Sequence, residues 1–266
     1  MPIDLSTIIQ SSFVVKIAIM TSSTSLDQDL KKFVSEYNFT IPDRGNLDDP
    51  SIVWREGRPD YRRADLIYFQ GKSKNHVLGS LEMTVENLVK TWEMELTHKP
   101  HIKDWTSVEQ DNSCGQVNGG PIVSSKDMII TGSYNWLLQN TSKELYDAQT
   151  HTFESSQKLF RGAFLDGFAW EVLEVFSGPP KVAFIWRHWG TFNGEYNGRK
   201  GQGENIELYG FTVATLSDKG KIVKVEVYAK MDSFLQALQG QLPSSETEKG
   251  KGLIGSCCPI AKSKKT

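Results

Sequence analysis

The sequence predicts an α+β fold in which helices come first and a run of antiparallel strands follows. Residues 178–240 contain three β-type runs, at 181–189, 205–216 and 221–229, rich in Val, Ile, Phe, Tyr and Trp and bounded by turn residues. Asp218-Lys219-Gly220 makes a short hairpin connection between the last two, so consecutive strands pair antiparallel as a meander that needs a covering layer. Upstream, apolar residues recur at helical spacing, most clearly over 81–97. Together these observations predict a curved antiparallel sheet wrapped around helices.

In chain order, residues 13–19 are a short apolar run interrupted by Lys16. It is too short to span a membrane and lacks the basic flank of a signal peptide, so a dispensable leader is expected. Residues 27–37 have helical spacing through Leu26, Leu30, Phe33, Val34 and Tyr37, and 40–52 read as a loop. The arm over 54–80 reads either as a lid on a pocket or as a surface segment whose Trp54 and Tyr61 plug the core. On the 81–97 helix, Val85, Leu88, Val89, Trp92 and Leu96 form an apolar stripe. Glu95 and Glu93 fall at the two margins of that stripe, while Met94 and His98 point away from it. A margin carboxylate entering a pocket can act as a base if burial raises its pKa, and Glu95 is the first candidate. His98 and His101 form a His-x-x-His pair with no third ligand nearby, and no metal is expected.

Residues 103–123 read as loop. Ser124 caps a helix expected to run on from 128 to 139, and another helix is expected over 150–163. A strand over 168–176 precedes the meander, and a short helix at 232–239 follows it. The expected organisation is a leader and helix over 1–53, the arm over 54–80, one main domain over 81–240 and a disordered tail over 241–266. Cys257-Cys258 beside Lys262, Lys264 and Lys265 reads as a solvated tail or as a lipidation site.

Lys and Arg number 30 against 32 Asp and Glu, a formal net charge of −2 with no long basic stripe before the tail, which excludes general nucleic-acid affinity. Three cysteines make neither a disulfide framework nor a zinc spacing, so a reducing, cytoplasmic setting without stable membrane insertion is expected. No dinucleotide or flavin fingerprint is present, and no cofactor is expected.

Gly190-Thr191, Gly194, Tyr196, Gly198, Gly203, Gly220-Lys221-Ile222 and Leu238-Gln239-Gly240 resemble the SnoaL-like polyketide cyclases of the nuclear-transport-factor-2-like superfamily. Over roughly 54–258 the chain more closely resembles the pathogen-related protein family, through Arg58-Pro59-Asp60-Tyr61, Lys90-Thr91-Trp92-Glu93-Met94-Glu95, Ser177-Gly178-Pro179-Pro180-Lys181, Arg187-His188-Trp189-Gly190 and a Cys-Cys-Pro tail. The resemblance implies a cone-shaped domain with a pocket inside. SnoaL-like aldol cyclases carry a His after the Gly-Thr pair and an Asp in the last strand, where this chain has Phe192 and Val227. Aldol chemistry with those residues is therefore excluded.

Taking Phe192 and Val227 as pocket positions fixes the parity of their strands. Val223, Val225, Val227 and Ala229 then face inward on the last strand, and Phe184, Trp186 and His188 on the first, with Arg187 and Trp189 outward. The middle strand offers Glu207, Tyr209, Phe211 and Val213 on one face against Ile206, Leu208, Gly210 and Thr212 on the other, and both faces remain open. The candidate site is therefore His188 and Glu95 as catalytic groups, with Trp92, Phe184, Trp186, Phe192, Tyr209, Phe211, Val225 and Val227 as walls for a small hydrophobic substrate or ligand. His188 is expected to donate a hydrogen bond that polarises a substrate carbonyl. The reaction expected is a cyclisation or isomerisation in specialised metabolism, including a pericyclic [4+2] closure. Carriage of a ligand without catalysis and a defence role are the alternatives, and homodimerisation is left open.

Overall fold

The computed structural model describes residues 23–37 and 39–241; the expected leader and most of the expected tail lie outside the described residues. Eight strands are present among them: β1 (Cys114–Val117), β2 (Val123–Ser124), β3 (Ala169–Ser177), β4 (Lys181–Phe192), β5 (Glu195–Tyr196), β6 (Arg199–Lys200), β7 (Glu204–Leu216) and β8 (Ile222–Ala229). Six form one sheet in the order β2-β1-β8-β7-β4-β3, and β5-β6 is a separate ribbon. The meander β3-β4-β7-β8 is antiparallel throughout, as the turn chemistry demands. Gly220, at φ 72°, closes the last hairpin in a conformation that suits glycine.

One pairing departs from the expected antiparallel sheet. The stretch read as loop over 103–123 contains β1, which runs parallel to β8 with Cys114 opposite Lys224 and Val117 opposite Val227. Its sequence Cys-Gly-Gln-Val carries little strand signal. Gly115 is there for packing, because a Cβ would come within 2.6 Å of both Met128 and Trp136. β1 therefore forms through tertiary packing rather than intrinsic preference.

The helices are α1 (Ser23–Tyr37), α2 (Arg62–Gly71), α3 (Leu81–His98), α4 (Ser125–Thr131), α5 (Ser133–Leu138), α6 (Phe153–Ala163) and α7 (Met231–Leu238). Ser80 caps α3 by accepting from the Met83 N–H at 3.2 Å. Thr152 and Ser155 cap α6 reciprocally, at 3.1 and 2.9 Å. The single helix expected over 128–139 is divided by Gly132, at φ 88°, where a Cβ would lie 2.8 Å from the Phe153 ring. A left-handed residue cannot continue a right-handed helix, so the chain restarts as α5.

Two apolar clusters result. The larger lies between the inner sheet face and the helices, and includes Trp92, Trp136, Phe160, Phe184, Trp186 and Phe234. The smaller joins Leu30, Tyr68 and Phe69 of α1 and α2 to Ala169 and Trp189 of the sheet. Trp189 does leave the inner face, as its parity predicts, yet it is buried because α2 covers it: Gly71 sits so close that a Cβ would meet the indole at 2.5 Å. α2 itself falls within the stretch read as an arm. A buried ion pair between Arg44 and Asp65 (2.5 Å) and an acidic side chain at the sheet edge anchor it there. That side chain is Glu171, which accepts from the Ser73 N–H at 2.7 Å.

Candidate active site

The sheet and α3 enclose a cavity of about 600 Å³, within the size range of small-molecule sites. Its sheet wall is formed by Phe184 and Trp186 of β4, Thr212 and Ala214 of β7, and Val225 and Val227 of β8, with Trp92 opposite on α3. Trp186 is fixed in this wall by two features of β7. Its indole lies across Gly210, where a Cβ would come within 2.1 Å, and its Nε1–H donates to Thr212 Oγ1 at 2.9 Å. Trp92 meets Trp136 edge to face, with ring centres 5.6 Å apart. Of the expected wall residues, Trp92, Phe184, Trp186, Val225 and Val227 therefore come together.

Three expected wall residues do not. Register decides the middle strand: His188, Trp186 and Phe184 pair with Leu208, Gly210 and Thr212, so the even-numbered residues of β7 face inward. Tyr209 is 54% exposed on the outer face and donates its hydroxyl to Glu207 at 2.8 Å. Phe211 also lies on the outer face, 6.4 Å from the Phe176 ring. Phe192 has inward parity but sits beyond the cavity, completely buried between Phe164 and the Arg199 guanidinium. On β8, a register shift opposite Thr215/Leu216 brings Ile222, rather than Val223, into the wall.

Glu95 is corrected as well. It is completely buried but faces a loop, not the cavity. Its carboxylate accepts from the Thr106 N–H and Oγ1 at 2.5 and 3.0 Å, and from the Ser107 N–H and Oγ at 3.1 and 2.5 Å. Lys99, also without exposed surface, pairs with it at 3.0 Å. Every lone pair of this carboxylate is engaged, which leaves it no capacity to take a substrate proton. Met94 and His98, on the side away from the apolar stripe, are covered as well: Met94 is fully buried and His98 lines the cavity.

The cavity carboxylate is the other candidate, Glu93. It is exposed, but onto the cavity rather than bulk water, and burial raises its pKa above the ordinary carboxylate value. Tyr61 and Thr97 hydroxyls each reach it at 3.3 Å. The arm lines the cavity from Glu56 to Tyr61, and Trp54 lies against Lys99. Arg44 stacks on Tyr61 with its guanidinium carbon 3.9 Å from the ring centre. Burial, with the charges of Arg161 and Arg55, pushes the His98 pKa down to about 3, so the imidazole is neutral. Arg161 can only donate, and its contact of 3.5 Å to His98 Nε2 leaves the ring hydrogen on Nδ1. Tyr134, pushed up to about 12 by burial, completes this end as a protonated phenol.

Lys90 also lines the cavity, its ammonium 3.2 Å from the Tyr68 ring centre and 3.0 Å from Glu86, and burial lowers its pKa to about 8. Glu86, Lys90, Glu93 and Thr97 follow one another at i, i+4, i+7 and i+11. This polar stripe beside the apolar one is the sequence signal that marks Glu93 over Glu95, because Glu95 lies on the opposite margin.

His188 is in the cavity wall, as its parity predicts, but with different chemistry. Its Nδ1 lies 2.7 Å from the Ala169 carbonyl oxygen, and burial pushes its pKa down to about 4. The carbonyl can only accept, so Nδ1 carries the hydrogen and Nε2 is an acceptor. The neutral ring cannot donate to a substrate carbonyl from Nε2, contrary to expectation.

A curved sheet and helices thus surround a chamber with aromatic and aliphatic walls, onto which Glu93 and two neutral imidazoles open. The chain belongs to the pathogen-related protein family: it is 32% identical over 218 residues to the pathogen-related protein of Hordeum vulgare, covering 80% of this chain and 90% of that one. No family model matches the chain. Among solved structures it is similar to a protein of Jannaschia sp. CCS1 assigned as a SnoaL-like polyketide cyclase, at 13% identity and a TM-score of 0.35 over 65% of this chain and 99% of that one. IdmH of Streptomyces antibioticus, also assigned as a polyketide cyclase, is similar at 13% identity and a TM-score of 0.35, over 58% and 96%. Among the described residues no helix is long and apolar enough to cross a membrane.

Proposed function

We propose that the protein is a cofactor-independent enzyme of specialised metabolism that cyclises or isomerises a small, largely apolar substrate by proton transfer. The observation that carries this reading is Glu93: a carboxyl group at the cavity wall, hydrogen-bonded by two neutral hydroxyls, whose pKa burial raises against the opposing charges of Arg44 and Arg161. A base of raised pKa is better matched to removing a proton beside a carbonyl near neutral pH. The carboxylate takes the proton, the carbonyl oxygen gains electron density as the enolate forms, and the carboxylic acid returns the proton at another carbon. The balance needs no oxidant or reductant. Tyr61, already hydrogen-bonded to Glu93, can hand on or stabilise the proton, and the cavity walls set which atoms approach.

The test is exchange of the protons beside the carbonyl of β-tetralone in deuterated water, followed by NMR. The parent protein is expected to accelerate exchange and Glu93→Gln to reduce that acceleration by roughly 10²–10⁴-fold, the usual span of general acid–base catalysis. Exchange at the same rate in Glu93→Gln would overturn the role of Glu93. Tetralone that quenches tryptophan fluorescence without exchanging faster than in buffer would favour the alternative, a binding protein for a small hydrophobic ligand, which the aromatic walls around Trp92 and Trp186 also suit.

A further inference from the structure

We propose that the cavity selects a ligand bearing a phenol- or enol-type hydroxyl, which donates a hydrogen bond to His188 Nε2. The inference rests on the cavity being the substrate site and adds the chemistry of one end of the substrate.

The imidazole is held so that it offers one thing. Its Nδ1–H is committed to the Ala169 carbonyl at 2.7 Å, and its face stacks on Phe168 with ring centres 3.8 Å apart. Turning the ring over about Cβ–Cγ would put Cδ2 where Nδ1 stands and break the bond to Ala169. A second ring proton is excluded near neutral pH, because burial holds the pKa at about 4. Nε2 therefore presents a lone pair, and the hydrogen bond that the ring makes among the described residues is through Nδ1. The neighbouring indole donor is unavailable, since Trp186 Nε1–H is bound to Thr212.

An acceptor in this setting discriminates by chemistry. A substrate carbonyl or ether oxygen would set lone pair against lone pair. An ammonium would have to lose its water among Phe168, Trp170 and Trp186, at a cost a neutral acceptor does not offset. A hydroxyl on a flat apolar body satisfies the nitrogen and stacks against the aromatic wall. In the empty cavity a water molecule can make the same bond. A hydroxyl that displaces it replaces the bond, whereas a methyl ether displaces it and leaves Nε2 unpaired. The Glu93 end then works on a carbonyl-bearing part of the same molecule, so the substrate class is a hydroxylated aromatic or enolic ketone.

The test compares β-naphthol with its methyl ether by calorimetric titration. The parent should bind naphthol about tenfold more tightly, as expected for one hydrogen bond to a buried acceptor. His188→Phe should bring the two within about twofold while still binding the ether. Equal binding of the two by the parent, or an unchanged preference in a folded His188→Phe, overturns the hydroxyl selection alone. Failure of the parent to bind either probe overturns the cavity as a ligand site, and this inference with it. Nitrogen NMR of the parent gives a reading that does not depend on the variant. His188 should show a protonated Nδ1 and an unprotonated Nε2, and naphthol but not its ether should shift Nε2. A protonated Nε2 would refute the assignment.

Discussion

Two carboxylates two residues apart on α3 are expected to respond to mutation in opposite ways. Glu95→Ala removes a carboxylate that accepts four hydrogen bonds from Thr106 and Ser107 and pairs with Lys99 at 3.0 Å. What remains is a completely buried ammonium that has lost its ion-pair partner, held by Asn46 and by the Asp104 carbonyl at 2.9 Å, together with two backbone N–H groups that have lost their acceptor. Breaking a buried pair from one side costs about 3–5 kcal/mol, and the orphaned donors place this case at the upper end. Glu93→Gln removes a carboxyl whose pKa burial raises, so ionisation of Glu93 favours the unfolded state, and the variant should be at least as stable as the parent at neutral pH. Urea unfolding followed by tryptophan fluorescence measures both. Glu95→Ala should lower the midpoint strongly at an unchanged slope, and Glu93→Gln should leave it equal or higher. A Glu95→Ala protein within about 1 kcal/mol of the parent would refute the structural role given to that ion pair. A large loss in Glu93→Gln would show that Glu93 holds the fold together rather than serving the cavity.

Two further outcomes are expected. Gly210→Val places a branched side chain where even a Cβ lies 2.1 Å from the Trp186 indole. It should cost about 1–3 kcal/mol and drive the ring into the cavity, seen as a lower melting midpoint and weaker naphthol binding; an unchanged midpoint would mean that Trp186 does not lie across β7. Stability should also fall as the solution is acidified from about pH 6.5 towards pH 4 and below, since folding holds His188 at about 4 and His98 at about 3. Between those values the unfolded chain binds more protons than the folded one, so each imidazole contributes a slope of up to about 1.4 kcal/mol per pH unit. Replacing either by Gln should flatten that limb, and an identical acid limb in both variants would refute the depressed pKa values.

The sequence made the last strand legible because its two faces differ in kind: Val225 and Val227 against Lys224 and Glu226 leave one arrangement that buries apolar surface. β7 could not be read this way. Phe211 and Val213 are apolar too, and only pairing with β4 shows that they face outward, while the residue that decides the wall is Gly210, which has no side chain to signal its role. Helical spacing puts Glu93 and Glu95 at the two margins of the apolar stripe. Which margin meets the cavity depends on residues 104–107 folding back onto α3, a non-local contact to which helical periodicity is blind. α2 escaped for a related reason. Its helix depends on Arg44, which pairs with its own Asp65, and on Trp189, both outside it in sequence.

α3 also explains why the catalytic reading settles on Glu93. Of its four carboxylates, two are neutralised. Glu86 takes Lys90 at 3.0 Å, the Tyr68 hydroxyl and the Val172 N–H at 2.9 Å, which ties the helix to α2 and to the free edge of β3. Glu95 takes Lys99 and the 106–107 backbone, which ties it to the loop on the other side. Ion pairs of this kind fix geometry more than they add stability, and here they clamp one rigid helix at two points. Glu93 lies between the clamps and has no ion pair among the described residues; its partners are two hydroxyls at 3.3 Å. A carboxyl held in place by its helix, on which burial outweighs the charges of Arg44 and Arg161, keeps both the raised pKa and the free lone pairs that proton transfer requires. Introducing a cation beside it should therefore abolish exchange without moving Glu93. In Thr97→Lys, where the new ammonium can reach the carboxylate across one helical turn, β-tetralone exchange should fall towards the rate of Glu93→Gln while naphthol binding persists. Full activity in that variant would show that the charge state of Glu93 does not matter to the reaction.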